Sequence, residues 1–200
     1  MLAELTARAD ALAADGRALL GIVGAPGAGK STVALALASA VPGSVIVPMD
    51  GFHLPTAQLA ARGWVAERGT PRTFDGAGYV ALLRRLRTGA HVHAPAFDRS
   101  IEEPVPDAID VPADARLVIT EGNYLLLDRP PWAAVRDLLD AAWYVEVPEP
   151  VRLHRLIARH IEFGRAPEDA RRRATEGSDA ANAALVVASR DRADLIVSLP

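Results

Sequence analysis

Short runs of apolar residues alternate along the chain with longer segments in which apolar residues recur every three or four positions. The short runs are typical of buried parallel strands, and the longer segments are typical of helices. The runs predict strands at 18–24, 44–49, 116–122, 141–147 and 193–199. The longer segments predict helices at 2–14, 30–40, 79–87, 149–162, 167–176 and 178–190. Such alternation predicts an α/β fold: a parallel sheet with helices on both faces.

Two regions follow neither pattern. Residues 51–78 are polar and dotted with glycine and proline, and residues 90–115 are rich in proline, so we expect irregular backbone there. An excursion of about 25 residues without regular structure usually serves a function in a compact protein. We therefore expect residues 51–100 to shape a binding pocket. No repeat or linker divides the chain, which predicts a single domain over residues 1–200.

Composition narrows the classes of protein that remain. The net charge is −3 and the pI about 6.0, so we expect no nucleic-acid partner and no membrane partner. The absence of cysteine excludes disulfides and thiolate chemistry. Charged residues interrupt the amino terminus at Glu4, Arg8 and Asp10, which is unlike a signal peptide. These features predict a cytoplasmic protein.

Lys30 is the only lysine, and every other basic residue among the 22 is arginine. It lies in "GAPGAGKS", which fits G-x-x-x-x-G-K-[ST] between a predicted strand and a predicted helix. In this pattern backbone amides and the helix amino terminus bind phosphates, the lysine reaches the β- and γ-phosphates, and the serine ligates Mg²⁺. The compact ammonium explains why arginine does not replace this lysine. The predicted nucleotide-binding residues are Gly24, Ala25, Pro26, Gly27, Ala28, Gly29, Lys30, Ser31 and Thr32.

The kind of phosphate-binding protein follows from what surrounds this loop. A guanine-reading [NT]-K-x-D motif needs a second lysine, so GTPases are excluded and a small-molecule kinase is favoured. Asp50 follows the second predicted strand, where it can accept a proton from an attacking hydroxyl. Glu121 ends the third predicted strand and is a candidate to support Mg²⁺ together with Ser31. His53 is a candidate substrate contact, although packing into a loop would explain it equally well.

The blocks "GAPGAGKST", "DGFH", "RTFD", "PAFDRS", "EGNYLLL" and "RHIEFGR" occur in this order. In this respect the chain resembles the phosphoribulokinase/uridine kinase superfamily, which includes type I pantothenate kinase, and more closely its bacterial nucleoside/nucleotide kinase-like or fructose-transport-system kinase branch. The likeness spans residues 19 to about 198. It implies a three-layer P-loop fold with a five-stranded parallel sheet in the order 2-3-1-4-5. It also implies ATP as donor, Mg²⁺ as cofactor and a small hydroxyl-bearing acceptor.

The resemblance assigns further residues. Asp50 looks like the family's general base and Glu121 like its acidic metal residue, while Asp75 matches the aspartate beside the acceptor sugar in uridine kinase-like enzymes. Asp98 and Arg99 lie in the block that has the sequence Y-D-F in uridine kinases. In this chain phenylalanine replaces the tyrosine and arginine follows the aspartate, and this difference favours an anionic or more polar acceptor. An Arg-rich lid at about 155–175 would bring Arg155, Arg159 and Arg165 over the transferring phosphoryl group.

Several alternatives stay open at this point. The acceptor could be pantothenate, a nucleoside or a sugar, and the chain could instead be an ATP-binding regulator or transport accessory with little turnover. Relatives often form homodimers, but the residues themselves do not indicate an oligomeric state. His91 and His93 would share one face of an extended segment and could form half of a metal site. No third ligand is evident from the sequence, so packing or a substrate contact is favoured.

Overall fold

The computed structural model describes residues 1–200, and its elements follow the predicted alternation. The helices are α1 (Leu2–Leu12), α2 (Lys30–Ala40), α3 (Thr56–Ala61), α4 (Gly76–Arg87), α5 (Glu149–Glu162), α6 (Pro167–Thr175) and α7 (Ser178–Val187). The strands are β1 (Ala18–Val23), β2 (Ser44–Pro48), β3 (Val92–Asp98), β4 (Glu103–Val111), β5 (Leu117–Gly122), β6 (Ala141–Glu146) and β7 (Leu195–Ser198).

Five parallel strands form the central sheet in the order β2-β5-β1-β6-β7. Numbered along the chain within this sheet, the order is 2-3-1-4-5, so the predicted fold is confirmed. Glu121 pairs in register with Ile22 of β1 and Pro48 of β2, which brings three strand ends to one edge. The loops that leave these strands therefore meet there, as ligand-binding loops do in open α/β sheets.

Two hydrophobic clusters cover the two faces of the sheet. One includes Leu5 of α1 and Leu37 of α2. The other includes Leu83 of α4 and Val186 of α7 and extends to Trp132. All six residues of β1 are buried, because a central parallel strand has helices on both sides.

Residues 90–115 are not irregular, and the prediction for them is wrong. Strands β3 and β4 form an antiparallel hairpin separate from the central sheet. The prolines that argued against strands are tolerated because each strand of a two-stranded ribbon has an unpaired edge. The register also shifts between Ala94 and Ala96, so Pro95 occupies an irregularity in the ladder.

Smaller differences have local causes. Helix α4 begins at Gly76 rather than at residue 79, because the Asp75 side chain caps it by accepting a hydrogen bond from Gly78 N at 2.8 Å. The polar stretch 51–78 contains the short helix α3. No helix in the structure has both the length and the apolar character that crossing a bilayer would require.

Candidate active site

The P-loop, residues 24–31 at the junction of β1 and α2, is held in shape by glycines that no other residue could replace without strain. Gly27 and Gly29 have φ values of +88° and +97°, in the left-handed region that side chains disfavour. At Gly24 a Cβ atom would lie 2.4 Å from the Val145 carbonyl oxygen. The loop therefore packs closely on the end of β6 and on α5, and its curled backbone suits the phosphate-binding role predicted for it.

Lys30 begins α2 and reaches across the loop. Its Nζ donates to Asn123 Oδ1 at 2.9 Å and lies 3.4 Å from the Ala25 carbonyl oxygen. Burial lowers the pKa of Lys30, while the charges of Glu121 and Asp50 act in the opposite direction. An ammonium group enclosed in this way is stabilised by negative charge, which phosphate oxygens would supply.

Ser31 and Glu121 form an oxygen pair beside this lysine. Ser31 Oγ donates to Glu121 Oε1 at 2.8 Å. Glu121 is 9% exposed, and burial raises the pKa of its carboxyl group above the usual range, although the positive charge of Lys30 acts in the opposite direction. A hydroxyl and a carboxylate are hard ligands of the kind that Mg²⁺ prefers, so the donor set fits that ion.

Asp50 lies in a 3-10 turn, Met49–Phe52, that directly follows β2. Its Oδ2 accepts from Arg99 Nη2 at 2.7 Å, and Arg99 comes from the turn of the β3–β4 hairpin. The hairpin packs against the Asp50 turn, because a Cβ at Gly51 would lie 2.2 Å from the Pro95 carbonyl oxygen. The position of Asp50 thus depends on the hairpin that sequence patterns did not reveal.

His53 closes the other side of the Asp50 turn. Its Nδ1 lies 2.8 Å from the Asp50 carbonyl oxygen, and since a carbonyl only accepts, Nδ1 carries the hydrogen. Burial lowers the pKa of His53, which favours the neutral ring with Nε2 as an acceptor. The ring packs between Phe74 and Phe97, with centroid separations of 4.0 and 4.6 Å. His53 is packed between two rings and also faces the cleft described next, so packing into the loop and contact with a substrate are compatible roles for it.

These groups line one cleft with a volume of about 700 Å³. The cleft is bounded by the P-loop, the Asp50 turn, the hairpin tip and the helices α5 to α7. Only six of its 27 lining residues are hydrophobic, which indicates a polar, hydrogen-bonding ligand. The predicted site residues that line it are Pro26, Lys30, Ser31, Asp50, His53, Arg99, Glu121, Arg159 and Arg165.

The lid arginines differ in their surroundings. Arg159 on α5 and Arg165 just after that helix both line the cleft. Burial lowers the pKa of Arg159, and the nearby charge of Arg99 lowers it further. Arg155 instead donates from Nη2 to the Pro200 carbonyl oxygen at 3.3 Å and does not line the cleft.

Several other predicted residues do not line the cleft, among them the glycines of the loop, Gly24, Gly27 and Gly29. Asp75 caps α4, and Asp98 accepts from Ser100 N and Oγ at 2.8 and 2.6 Å, which lowers the pKa of Asp98. Ala25 and Ala28 are buried against a second cavity, of about 470 Å³, between the P-loop and α5 to α7. Contact of Asp75 or Asp98 with an acceptor stays a prediction.

Thr32 is the remaining predicted nucleotide-binding residue. It is exposed in the first turn of α2 and lies outside the cleft lining. Its contact with a nucleotide also stays a prediction.

The site also contains residues that sequence reasoning missed. Arg152 is 5% exposed, forms an ion pair with Glu149, and donates from Nη1 to the Pro26 carbonyl oxygen at 2.8 Å, so it supports the P-loop from behind. Asn123, two residues after Glu121, orients Lys30. Only the position of Asn123 directly after "EG" could have signalled its role; the Arg152 contact spans 126 residues.

Helices α5, α6 and α7 carry a cluster of ionisable side chains. His160 Nε2 lies 2.7 Å from Asp179 Oδ2, and Arg173 Nε lies 3.4 Å from the same oxygen. Since these residues belong to α5, α6 and α7, the cluster joins these three helices. Burial acts to raise the pKa of Asp179, but the hydrogen bond from His160 and the charge of Arg173 outweigh it and hold this pKa below its usual range.

Comparisons with known proteins agree with this geometry. A protein named "ATP-dependent kinase-like protein notR'" from Aspergillus versicolor is 44% identical over 131 residues, covering 61% of this chain and 76% of that protein. "Putative uridine kinase C227.14" from Schizosaccharomyces pombe is 37% identical over 197 residues, covering 90% and 83%. The crystal structure of a "putative fructose transport system kinase" from Silicibacter sp. TM1040 superposes with a TM-score of 0.89 at 37% identity, covering 100% of this chain and 99% of that one.

The family comparison extends over almost the whole chain. The sequence profile described as "Phosphoribulokinase / Uridine kinase family" matches residues 19–199. This range includes the P-loop, the Asp50 turn, the hairpin and the helices α5 to α7. The chain therefore belongs to the phosphoribulokinase/uridine kinase family of P-loop kinases.

Proposed function

We propose that this kinase transfers the γ-phosphoryl group of ATP to a hydroxyl group of a small polar acceptor, with Asp50 as general base. The observation that carries the proposal is the position of Asp50 in the same cleft as Lys30 and the Ser31–Glu121 pair. The charge of Asp50 acts on the pKa values of both Lys30 and Glu121, so the three groups share one electrostatic environment.

The donor side of the cleft is assigned to ATP. The P-loop would bind the phosphate chain, and Lys30 would contact its β- and γ-phosphates. Ser31 and Glu121 would hold Mg²⁺, which supplies positive charge to the phosphate oxygens when bound. Arg159 and Arg165 would stabilise negative charge on the phosphoryl group as it transfers and help exclude water.

The acceptor side is assigned to the space between Asp50 and the hairpin tip. The acceptor oxygen forms a bond to the γ-phosphorus while the bond from that phosphorus to the bridging oxygen of ADP breaks. The hydroxyl proton passes to the Asp50 carboxylate. Neutral His53 presents Nε2 as a hydrogen-bond acceptor in the same cleft, so it is suited to orient a second hydroxyl of the acceptor.

The acceptor class is open among sugars, nucleosides and pantothenate-like alcohols. Arg68 and Arg99 both line the cleft, and Arg68 donates to Thr56 Oγ1 near the hairpin tip. These guanidinium groups favour an acceptor that is polar or carries an anionic group.

The test is a coupled ADP-release screen with ATP, Mg²⁺ and a panel of fructose, other sugars, nucleosides, pantothenate and small hydroxy acids. The proposal predicts that at least one alcohol stimulates ADP release well above the rate with ATP alone. ATP binding without stimulation by any alcohol would instead support a regulator or transport accessory.

A further inference from the structure

Three side chains of types that can bind metal ions converge at the β3–β4 hairpin, outside the cleft lining. His91 Nε2 lies 2.5 Å from Asp110 Oδ1, and His93 Nδ1 lies 3.6 Å from the same oxygen. One ligand atom from each residue falls within 4.8 Å of the other two. None of the three belongs to the cleft lining, and the proposed kinase reaction uses none of them.

The hairpin backbone fixes this arrangement. His91 and His93 are two residues apart in extended chain, so both side chains leave the same face. Asp110 pairs in register with His93 across the ladder. The adjacent pair, Val92 and Val111, is buried on the opposite face, and a slip of one residue would expose it. The core therefore holds the three ligands in register.

The distances suit a single metal ion. Bonds of about 2.0–2.2 Å from nitrogen or oxygen to a tetrahedral Zn²⁺ would separate the ligand atoms by about 3.3 Å. The observed distances of 2.5 and 3.6 Å lie on either side of that value, so small side-chain rotations suffice. A simple hydrogen bond to Asp110 requires only one imidazole, whereas here two approach the same carboxylate oxygen.

The ligand types indicate which ions would bind. Imidazole nitrogens prefer Zn²⁺, Ni²⁺, Cu²⁺ and Co²⁺, whereas Mg²⁺ and Ca²⁺ prefer oxygen ligands. His91, His93 and Asp110 are each more than half exposed, with side-chain exposures of 55%, 54% and 60%, so water has access to complete the coordination.

We propose that His91, His93 and Asp110 bind one divalent transition-metal ion at the base of the hairpin. At about 3.3 Å per residue, the six positions from His93 to Arg99 separate this site from the hairpin tip by roughly 20 Å along the strand. A bound ion would cross-link β3 to β4, and β3 packs on the Asp50 turn through Pro95 and Gly51. The proposal does not depend on the identity of the acceptor.

The experiment is a calorimetric titration of the chelator-treated full-length chain with Zn²⁺, in excess Mg²⁺ so that oxygen-rich sites are filled. We expect one Zn²⁺ per chain. Substitution of an outer partner of a metal ligand typically costs 10–100-fold in affinity, so loss of a direct ligand should cost at least about that much. His93→Ala and Asp110→Asn are therefore each expected to weaken binding by about 10-fold to 100-fold or more.

Matched controls separate this site from other side chains. His154→Ala removes another exposed histidine and Asp107→Asn another exposed acid of β4, and neither should change the affinity. His93→Gln provides a second variant that keeps a polar side chain, and circular dichroism checks that each variant is folded. Among the five histidines, NMR should show Zn²⁺-dependent shifts for His91 and His93.

Three results would overturn the proposal. One is the absence of Zn²⁺ binding by the folded wild-type chain. Another is unchanged affinity in His93→Ala and Asp110→Asn. The third is an equal loss of affinity in His154→Ala, which would assign the ion to a different part of the surface.

Discussion

Replacing Asp50 with asparagine tests the proposed base while keeping the size of the side chain. The variant cannot accept the acceptor's proton, and it leaves Arg99 without its carboxylate partner at 2.7 Å. General-base catalysis contributes about 10²–10⁴-fold. At about 1.36 kcal/mol per factor of ten, this loss in kcat/KM for the acceptor should correspond to an activation barrier that is higher by about 2.7–5.4 kcal/mol.

The effect of this substitution on folding should be much smaller. The side chains of Arg99 and Asp50 are 46% and 28% exposed, and ion pairs that are open to solvent contribute about 0–1 kcal/mol. Such a change corresponds to at most about 2–4 °C in melting temperature for a chain of this size. Activity and stability should therefore separate clearly in this variant.

The assay is acceptor-dependent ADP release at saturating ATP, with ATP affinity measured separately by titration. Asp50→Asn should bind ATP within a fewfold of the wild type while turnover falls by two to four orders of magnitude. Asp107→Asn, an exposed acid on β4, is the matched control and should retain activity. Turnover of Asp50→Asn within tenfold of the wild type would refute the assignment of the base.

Three further predictions concern the donor side. Lys30→Arg should strongly reduce the turnover rate, because the planar guanidinium does not fit between the loop and the phosphates. Steady-state kinetics that match the wild type would contradict this explanation of the single lysine. Arg152→Met should raise the KM for ATP and lower stability by about 1–3 kcal/mol, because the Pro26 carbonyl loses its buried partner; an unchanged KM and melting curve would exclude this support role. Glu121→Gln should abolish Mg²⁺-dependent turnover, because the amide lacks the charge of the carboxylate proposed to hold the ion; turnover that matches the wild type would contradict this role. Burial raises the pKa of Glu121 in the folded chain, so the contribution of Glu121 to stability should fall as the pH rises from about 4.5 through the folded pKa. Melting curves recorded across that range should show this dependence in the wild type and lack it in Glu121→Gln. The same dependence in Glu121→Gln would show that another group causes it.

The sequence predicts the central sheet well because each of its strands is a short, continuous apolar run. Helix α2 and helix α5 begin and end where the pattern places them, since each has a clear boundary: the P-loop glycine before Lys30 and the Pro148–Glu149 start of α5. The hairpin is not predicted because its prolines and mixed polarity mask the alternation of a strand. Its formation depends on packing against the Asp50 turn, which is a contact between distant parts of the chain.

Motif spacing likewise predicts the groups that are proposed to act on phosphate, and only some of the groups around them. Lys30, Ser31 and Glu121 come together because the ends of parallel strands meet at one edge of the sheet. The Arg99–Asp50 ion pair and the support of Pro26 by Arg152 are long-range contacts, which no local pattern encodes.

In the proposed reaction the terminal phosphoryl group of ATP is transferred to an alcohol, and Asp50 accepts the proton of that alcohol. The decisive measurement follows the label from γ-³²P-ATP with the acceptor that the ADP-release screen identifies. The label is expected in a phosphomonoester of that acceptor, and Asp50→Asn should form this product at least about a hundredfold more slowly. Label recovered only as inorganic phosphate would rule out transfer to the alcohol, and a phosphomonoester formed equally fast without the Asp50 carboxylate would rule out Asp50 as the base.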